Sequence, residues 1–292
     1  MTGECMTAVI FSVRALNLKA EFILIDDASD AEDNLLGVFR HFQTNTPDHK
    51  FVLVRTKKRL HYTGVFSVGL HLAKQANVLF VSNDILMTPH FLYALLGVAA
   101  LGGDFGVIRG TSNYIESHPE HVVLPPDCIR TYTDILTFSR AMFEINGLAF
   151  TEDQVLSGDA ILIKRAVLER VGVMDTQFFG YFGDVDFGLR CHLAGFKLIC
   201  AKGAWGRHEG AGHLKTEVDK RKGDFSYVHQ VRTRLVDDAY KSFRLKWDAN
   251  LPPQYEAASK LNLFSVAEKN RARIKLRCEF PDEVLSSYDI VV

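Results

Sequence analysis

Acidic side chains follow two of the apolar runs in this 292-residue sequence, at positions where they could do chemistry. "ILIDDASD" places Asp26 and Asp27 after one run, and "LFVSND" places Asn83 and Asp84 after another. Carboxylates at strand ends could hold a hard divalent cation, which binds carboxylates together with the phosphate oxygens of a substrate. A second interpretation stays open, because Asp27 and Asp84 could instead cap the helices that follow them.

A second acidic pair lies in "YFGDVDFGLR", residues 181–190. Asp184 and Asp186 are one residue apart, and a carboxylate in such a place could accept a proton as a general base. The same pair also suits a helix start, with Asp184 as the N-cap and Asp186 in the first turn. Arg190 follows Asp186 by four residues, which predicts an ordinary ion pair on the helix surface.

The elements that must position these side chains can be predicted from apolar patterning. Nearly continuous apolar runs predict strands that are buried on both faces, at 21–27, 50–56, 77–84, 105–110, 159–164 and 196–202. Helical spacing lies between the first three of these runs, at 31–43 and 64–76. This β-α-β-α-β order predicts a mostly parallel sheet with right-handed crossovers.

The chain changes character after residue 213, where a charged helical pattern runs through 224–247 until Pro252 and Pro253 break it. We therefore expect one α/β domain over residues 1–214. A helical C-terminal segment, residues 215–292, should pack on it or meet a partner. The aperiodic stretch 112–130 predicts a long loop over one edge of the sheet.

Composition excludes several classes of protein. The 34 basic and 35 acidic residues give a net charge of −1, so no overall field favours nucleic acid or an anionic membrane. The five cysteines lack C-x-x-C spacing, which argues against a disulfide framework or a zinc site and fits a reducing compartment. The longest apolar run, 91–101, is about half of the roughly 20 residues that a membrane span needs. We expect a soluble, cytoplasmic protein without a transmembrane segment.

The order of motifs in the second half carries a resemblance to a known family. Residues 157–212 contain a Gly-led strand, a short helix, "GVMD", an aromatic run, the "GDVD" pair, a helix closed by Gly195, a strand and His208. Together with "ILIDDASD", "NVLFVSND" and "FRLKWDANLP", this order resembles the family-2 glycosyltransferases of the GT-A fold, especially their rhamnosyltransferase-like branch. The resemblance covers residues 5 to 250, approximately.

The resemblance implies a Rossmann-like GT-A domain that binds a nucleotide-sugar donor. Asp26 or Asp27 would contact the base and ribose of the donor, and Asn83 would lie beside it. Asp84 would bind Mg²⁺ or Mn²⁺ at the diphosphate, with His208 as a further metal or phosphate contact. Bound metal would stabilise the charge that develops on the departing nucleoside diphosphate.

The resemblance also implies an acceptor hydroxyl on a glycan or a lipid-linked molecule, as in polysaccharide biosynthesis. Asp184 would be the general base, and the sugar would be transferred with inversion. Trp205 could line the acceptor site, although a buried structural tryptophan is an equal alternative. Asp186 and Arg190 would contact the acceptor or support the site. A lipid-linked acceptor would bring peripheral contact with the inner face of a membrane.

Three departures from the family pattern motivate a different class of function. The usual first strand is missing from these residues, Ser82 stands where many relatives have Asp, and Gly183 replaces a Glu. A catalytically weak or inactive homologue that serves as a binding or assembly subunit is therefore the rival hypothesis. A phospho-receiver domain, with Asp26 and Asp27 on one strand and Asp84 on a later one, would leave more than half of the chain without a role.

Overall fold

The computed structural model describes residues 2–30, 34–115, 118–156, 159–178, 180–210, 225–258 and 260–291. The strands in chain order are β1 (Glu21–Asp26), β2 (Lys50–Thr56), β3 (Asn77–Val81), β4 (Ile85–Leu86), β5 (Phe105–Ser112), β6 (Phe150–Asp153), β7 (Ala160–Lys164), β8 (Lys197–His208) and β9 (Tyr288–Ile290). The α-helices are α1 (Thr2–Ala15), α2 (Leu35–Asn45), α3 (His61–Leu72), α4 (Pro89–Leu101), α5 (Tyr132–Asn146), α6 (Arg165–Val171), α7 (Gly183–Leu193), α8 (Phe225–Trp247), α9 (Tyr255–Ala258), α10 (Leu263–Asn270) and α11 (Asp282–Leu285). The predicted α/β class is confirmed, and each predicted strand is present, although β3 ends three residues before its predicted end and β8 extends six residues past it.

The strands form two sheets. The small sheet has the order β1-β2-β9, in which β1 and β2 are parallel and β9 is antiparallel to β2. The large sheet has the order β3-β7-β5-β8-β4, and β6 pairs with β8 as well. In the large sheet only β5 and β8 run parallel, while β3 and β5 both pair antiparallel with β7.

The large sheet is therefore mixed, whereas the sequence predicted a mostly parallel one. The prediction extended the β-α-β order of the first half to the second half. There, β7 lies between β3 and β5 and runs against both, so it begins beside the carboxyl end of β3. The short strands β4, β6 and β9 were not predicted, because runs of two to four residues carry little periodicity.

Helices cover both faces of the sheets. On one face α1 and α4 pack over an apolar cluster that includes Val13, Phe91 and Ile108. On the other face α3, α6 and α7 pack over a cluster that includes Phe66 and Ile161. Two of the interior strands, β5 and β7, lie between these layers and are almost completely buried.

The described residues from 225 onward are mostly helical, and α8 packs on the α/β part of the chain. Phe243 and Trp247 of α8 lie in one apolar cluster with Phe182 and Leu189 beside and within α7. The last strand, β9, then returns to the small sheet. The predicted boundary between residues 214 and 215 lies outside the described residues. Among the helices that the structure describes, none combines the length and apolarity that crossing a membrane requires.

Candidate functional site

Asp84 and His208 come together at the carboxyl end of β3. Asp84 occupies the turn between β3 and β4, and His208 is the last residue of β8. β4 pairs antiparallel with β8, so Ile85 lies opposite His208, and the amide of Glu209 donates to the carbonyl oxygen of Asp84 at 3.0 Å. The Nε2 atom of His208 lies 3.4 Å from Oδ2 of Asp84. Residues far apart in sequence thus meet at one point.

The orientation of the His208 ring is set by its second nitrogen. Nδ1 lies 3.0 Å from the carbonyl oxygen of Tyr114, and a carbonyl can only accept, so Nδ1 carries a hydrogen and donates it. Nε2 therefore faces Asp84. Burial acts to lower the pKa of His208, but the hydrogen bond that His208 donates to Asp84 and the charges of Asp159 and Asp84 outweigh it, so the pKa is raised. Asp84 and Asp159 thus stabilise a positive charge at the carboxyl end of β3.

These two residues fit a divalent metal ion. A histidine that binds metal usually donates its other ring N–H to a carbonyl or carboxylate, as His208 does to Tyr114. A carboxylate such as that of Asp84 is a common ligand of Mg²⁺ and Mn²⁺. Both side chains are largely buried, so little water competes for them.

Asp159 and Arg109 belong to the same region and were not predicted from sequence. The amide of Ser82 donates to the carbonyl oxygen of Asp159 at 2.9 Å, which places Asp159 beside the end of β3. Nη2 of the buried Arg109 lies 3.8 Å from Oδ2 of Asp159, and its Nη1 is buried without a hydrogen-bond partner. Asp159 directly precedes an apolar run, but a sequence does not show that this run is antiparallel to β3.

Asp26 and Asp27 lie at the end of β1 and already bind the protein itself. Oδ1 of Asp27 accepts from Oγ1 of Thr56 at 3.0 Å and from the amide of Leu60 at 2.7 Å. Its Oδ2 accepts from the amide of His61 at 2.9 Å. Asp27 thus fastens the start of α3, whereas the capping alternative assigned it to the helix that follows β1.

Asp26 is largely buried and holds its own turn. Its Oδ1 accepts from the amide of Ser29 at 2.9 Å, and Oδ2 lies 3.5 Å from Nη1 of Arg55. Asn83, by contrast, points toward α1, where its Nδ2 donates to Oγ1 of Thr2 at 3.2 Å. The predicted donor-binding residues are thus at the strand ends, with several of their polar atoms engaged by neighbouring chain.

Asp184 lies in the first turn of α7 and is partly buried. The N-cap is Phe182, whose φ of 64° is left-handed, so the predicted capping role of Asp184 is wrong. Oδ1 of Asp184 accepts from the amide of Val185 at 2.9 Å. Burial raises the pKa of Tyr62, and the charges of Asp184 and Asp159 raise it further. The negative charges of Asp184 and Asp159 thus both act on the hydroxyl group of Tyr62.

Asp186 and Arg190 form a completely buried pair, whereas the sequence predicted a pair on the helix surface. Nε of Arg190 donates to Oδ2 of Asp186 at 2.8 Å, and its other nitrogens donate to the carbonyls of Val171, Val173 and Leu276. Oδ1 of Asp186 accepts from Trp247 and lies 2.6 Å from Nζ of Lys246. The pair joins α7 to α8 and has no surface open to an acceptor.

Trp205 is also completely buried. Its Nε1 donates to the carbonyl oxygen of Val123 at 3.0 Å, and its ring packs edge-on against Phe138 at 4.6 Å between centroids. The structural alternative for this residue matches its position, because no part of the ring reaches a surface where an acceptor could bind.

Gly183 packs directly against α3. A Cβ atom built at this position would lie 2.5 Å from Oγ1 and 2.7 Å from Cγ2 of Thr63. Thr63 is buried, and its hydroxyl has no hydrogen-bond partner. The close approach of α3 and α7 therefore leaves no room for a side chain at position 183 unless Thr63 moves.

A second group of side chains could also hold a metal ion. His118, His121 and Asp153 are buried and each offers one ligand atom, all within 4.8 Å of one another. However, both nitrogens of His118 already face oxygens, those of Glu120 and of the Val155 carbonyl. His121 bridges Asp153 at 2.7 Å and the ammonium of Lys202 at 2.8 Å. Oδ2 of Asp153, however, is buried without a hydrogen-bond partner, so this group keeps one carboxylate oxygen that an ion could use.

Comparisons with known proteins agree with the fold. A family model described as glycosyltransferase-like family 2 matches residues 4–235, most of the chain. A mannosyltransferase from Pyrobaculum calidifontis, solved with GDP-mannose and Mn²⁺, is 15% identical with a TM-score of 0.54, over 94% of this chain and 73% of that one. GalNAc-T7, solved with UDP, GalNAc and Mn²⁺, is 15% identical with a TM-score of 0.50, over 87% of this chain and 51% of that one. No curated protein sequence matches the chain.

Proposed function

The chain belongs to glycosyltransferase-like family 2, and on that premise we propose that it moves a sugar from a nucleotide-sugar donor to a hydroxyl group. The acceptor would be a glycan or a lipid-linked molecule. A lipid-linked acceptor would place the reaction at a membrane surface. The GT-A fold is established by the family match and by the structural neighbours. The same match excludes the phospho-receiver alternative, because it assigns residues 4–235 to one glycosyltransferase-like domain.

The observation that carries the proposal is the meeting of Asp84 and His208 at the carboxyl end of β3. We assign them to a Mg²⁺ or Mn²⁺ ion that would offset the negative charge of the departing nucleoside diphosphate. Both neighbours were solved with a nucleotide and Mn²⁺. Asp159 would add negative charge beside the ion, and Arg109 would hold Asp159 in place.

Asp184 is the proposed general base. It is partly exposed in the first turn of α7, while Asp186, two residues on, is completely buried. A proton acceptor must reach the acceptor hydroxyl, so only Asp184 of the two is placed for that work. Attack by the hydroxyl on the face opposite the nucleotide would invert the anomeric carbon.

A binding or assembly subunit with little activity is the second candidate. Asp27, a proposed donor contact, already accepts three hydrogen bonds from the chain. Gly183 supplies no second carboxylate, and the contact with Thr63 prevents a simple replacement from restoring one. These observations favour weakened donor binding or turnover.

Calorimetry and a nucleotide-release assay separate the two candidates. The wild-type chain is titrated with UDP, GDP and dTDP, with and without Mn²⁺, and then incubated with the matching nucleotide-sugars. For the enzyme we expect Mn²⁺-dependent binding and release of nucleoside diphosphate. Asp84→Asn should weaken Mn²⁺-dependent binding at least tenfold, whereas Glu144→Gln, on the exposed surface of α5, should not change it.

Measuring turnover separately from nucleotide binding distinguishes the proposed role of Asp184 from that of the metal site. Asp184→Asn should lower the release rate by about a hundredfold or more while nucleotide binding stays unchanged, because general-base catalysis contributes about that factor. Binding without turnover in the wild-type chain would support the subunit. Failure to bind any nucleotide with Mn²⁺ would refute the transferase.

A further inference from the structure

Two histidines and an aspartate form a buried polar group that includes neither Asp84 nor His208. His118 and His121 lie at a short 3₁₀ turn after β5, and Asp153 is the last residue of β6. Each of the three is between 3% and 5% exposed, and one ligand atom from each lies within 4.8 Å of the other two. Because 32 positions separate His121 from Asp153 in the chain, only the fold brings them together.

The surroundings of His118 leave one of its ring nitrogens for an ion. Nε2 lies 2.7 Å from the carbonyl oxygen of Val155, which can only accept, so Nε2 carries a hydrogen and donates it. A histidine that binds metal usually donates its second ring N–H to such a carbonyl. Nδ1 of His118 then faces Oε1 of Glu120 at 2.9 Å. The same oxygen lies 3.9 Å from Nε2 of His121, so Glu120 can supply a fourth ligand.

Asp153 provides a second, independent indication of a cation. Its Oδ1 lies 2.7 Å from Nε2 of His121, but its Oδ2 is buried without any hydrogen-bond partner. Within the part of the chain that the structure describes, no lysine or arginine is within ion-pair distance of this carboxylate. A buried carboxylate oxygen without a partner is costly. Asp153 therefore has an oxygen available for a positively charged ligand.

The spacing of these atoms suits a single small ion. Ligand atoms around a tetrahedral Zn²⁺ ion, with bonds of about 2.0 to 2.2 Å, lie about 3.3 to 3.6 Å from one another. The separations of 2.7, 2.9 and 3.9 Å between neighbouring side chains of the group lie on both sides of this range. Small rotations of the side chains therefore suffice to place their ligand atoms around one ion.

The types of ligand favour Zn²⁺ over Mg²⁺ or Mn²⁺. Imidazole nitrogens suit Zn²⁺, whereas Mg²⁺ and Mn²⁺ prefer oxygen ligands. Zinc also accepts aspartate and glutamate oxygens. The sequence argued against a zinc site because the chain lacks C-x-x-C spacing, but that argument concerns cysteine ligands. This group uses histidines and carboxylates instead.

Lys202 of β8 competes with a cation at this position. Its Nζ lies 2.8 Å from Nδ1 of His121, and an ammonium group can only donate, so Nδ1 accepts and Nε2 donates its hydrogen to Asp153. An ion bound at Nε2 would shift this hydrogen to Nδ1, and the ammonium group would then have to turn away. Lys202 is only partly buried, which leaves its side chain a route to water. Its positive charge also repels a cation nearby.

We propose that these side chains bind a structural Zn²⁺ ion, with the ligands His118, Glu120, His121 and Asp153. The ion fastens the 3₁₀ turn to the end of β6. Four protein ligands leave no open position for a substrate, as is usual in structural zinc sites. The inference does not depend on the proposed transferase, whose metal ligands are different residues.

Zinc binding by the full, untagged chain tests the proposal. The protein is freed of metal with a chelator and titrated with Zn²⁺ against a coloured competing chelator, and with Co²⁺ as a spectroscopic probe. All measurements use the Asp84→Asn background, which removes one ligand of the other candidate metal site. We expect one tightly bound Zn²⁺ per chain, a visible absorption spectrum of tetrahedral Co²⁺, and a higher temperature of thermal unfolding with Zn²⁺.

Variants of the ligands and of Lys202 should change the affinity in opposite directions. Asp153→Asn and His121→Gln should each weaken Zn²⁺ binding at least about tenfold, since loss of even a residue behind a ligand costs about 10- to 100-fold. Lys202→Met should strengthen it severalfold, a gain that a misfolded chain would not show. Lys197→Met is the matched control, because Lys197 also lies on β8 but pairs with the exposed Asp104. It should leave the affinity unchanged.

Three results would overturn the proposal. The first is the absence of tight Zn²⁺ binding in the Asp84→Asn chain. The second is equal affinity in that chain and in its Asp153→Asn and His121→Gln variants, which would mean an adventitious ion only. The third is a Lys202→Met variant that binds Zn²⁺ no more tightly than Lys197→Met. None of these results bears on Mn²⁺-dependent nucleotide binding by the wild-type chain, so the two proposals fail separately.

Discussion

Two interior strands of the large sheet, β5 and β7, and the edge strands β1 and β3 have similar sequences and different surroundings. β5 and β7 are paired on both sides and nearly all of their residues are buried. β1 and β3 are equally apolar, yet residues 22–25 and 78–81 all stay partly exposed. Apolar patterning alone therefore does not distinguish a strand with two neighbours from a strand with one.

This difference in burial distinguishes the region that stabilises the fold from the region that could bind a ligand. On one face of the large sheet lie helix α7, with its buried Asp186–Arg190 pair, and the contacts of α7 with α8. The strands β1 and β3 end at or shortly before Asp26, Asp27, Asn83 and Asp84, the residues proposed to meet the donor. Stability should therefore depend mainly on the first region, and ligand response mainly on the second.

Among these tests, the largest loss of stability should follow replacement of Arg190, the buried cation of α7. Arg190→Met would remove the cation that faces Oδ2 of Asp186 and would leave the carbonyl oxygens of Val173 and Leu276 without the Arg190 donor. Breaking one partner of a buried ion pair costs about 3 to 5 kcal/mol. Denaturant unfolding should show a loss of this size.

Arg140 provides the matched control, because it forms an i,i+4 pair with Glu144 on the exposed surface of α5. Arg140→Met should change the free energy of unfolding by about 0.5 kcal/mol or less. Equal losses in the two variants would show that the buried pair does not fasten α7 to its neighbours.

A smaller effect should separate the two kinds of strand directly. Ile161 of β7 is completely buried, whereas Ile23 of β1 is partly exposed. Ile161→Ala should lower the free energy of unfolding by about 2 to 5 kcal/mol through lost packing and a cavity. Ile23→Ala should cost about 1 kcal/mol. If Ile23→Ala matched Ile161→Ala in denaturant unfolding, β1 could not be a loosely held edge.

The sequence predicted most of this fold because long apolar runs mark strands and a 3.6-residue period marks helices. It did not predict the direction of β7, since pairing between residues such as Val81 and Ala160 depends on contacts far apart in the chain. β9 was missed for a related reason. Its three residues form a strand only because β2 offers an edge.

The candidate site shows the same division. Resemblance pointed to Asp84 and His208, and the structure places them together. The resemblance assigned Asp186 and Arg190 to contact with the acceptor or to support of the site, and their complete burial leaves only support. Charged residues are rarely buried, so spacing on a helix naturally predicts an exposed pair. Asp159 was missed because its position depends on the antiparallel entry of β7.

Gly183 offers a third and smaller test, at the point where α7 meets α3. Gly183→Glu alone should destabilise the protein by about 1 to 3 kcal/mol, because the new Cβ overlaps Thr63. Gly183→Glu combined with Thr63→Ala removes the two closest atoms, and thermal unfolding should show that much of the loss is recovered. If the double variant were no more stable than Gly183→Glu, crowding by Thr63 would not explain the glycine.

The double variant also bears on the site, since it restores a carboxylate next to Asp184. An increase in nucleotide release over the Thr63→Ala variant would show that the missing carboxylate limits an otherwise working transferase. An unchanged rate would separate the packing role of Gly183 from catalysis and would leave Asp184 as the only carboxylate of the pair to test.

The smallest effect concerns pH and the attachment of α8. Burial acts to raise the pKa of Asp175, but the charge and hydrogen bond of Lys246 outweigh it, so the pKa is lowered in the folded protein. A lowered folded pKa contributes stability above the unfolded pKa, and this contribution disappears as the pH falls through the folded value. Asp175→Asn should therefore cost up to about 1 kcal/mol near pH 7. In urea unfolding at a series of pH values, the difference from wild type should shrink below about pH 4. A difference that stayed constant down to pH 3 would mean that Asp175 acts through packing and not through its charge.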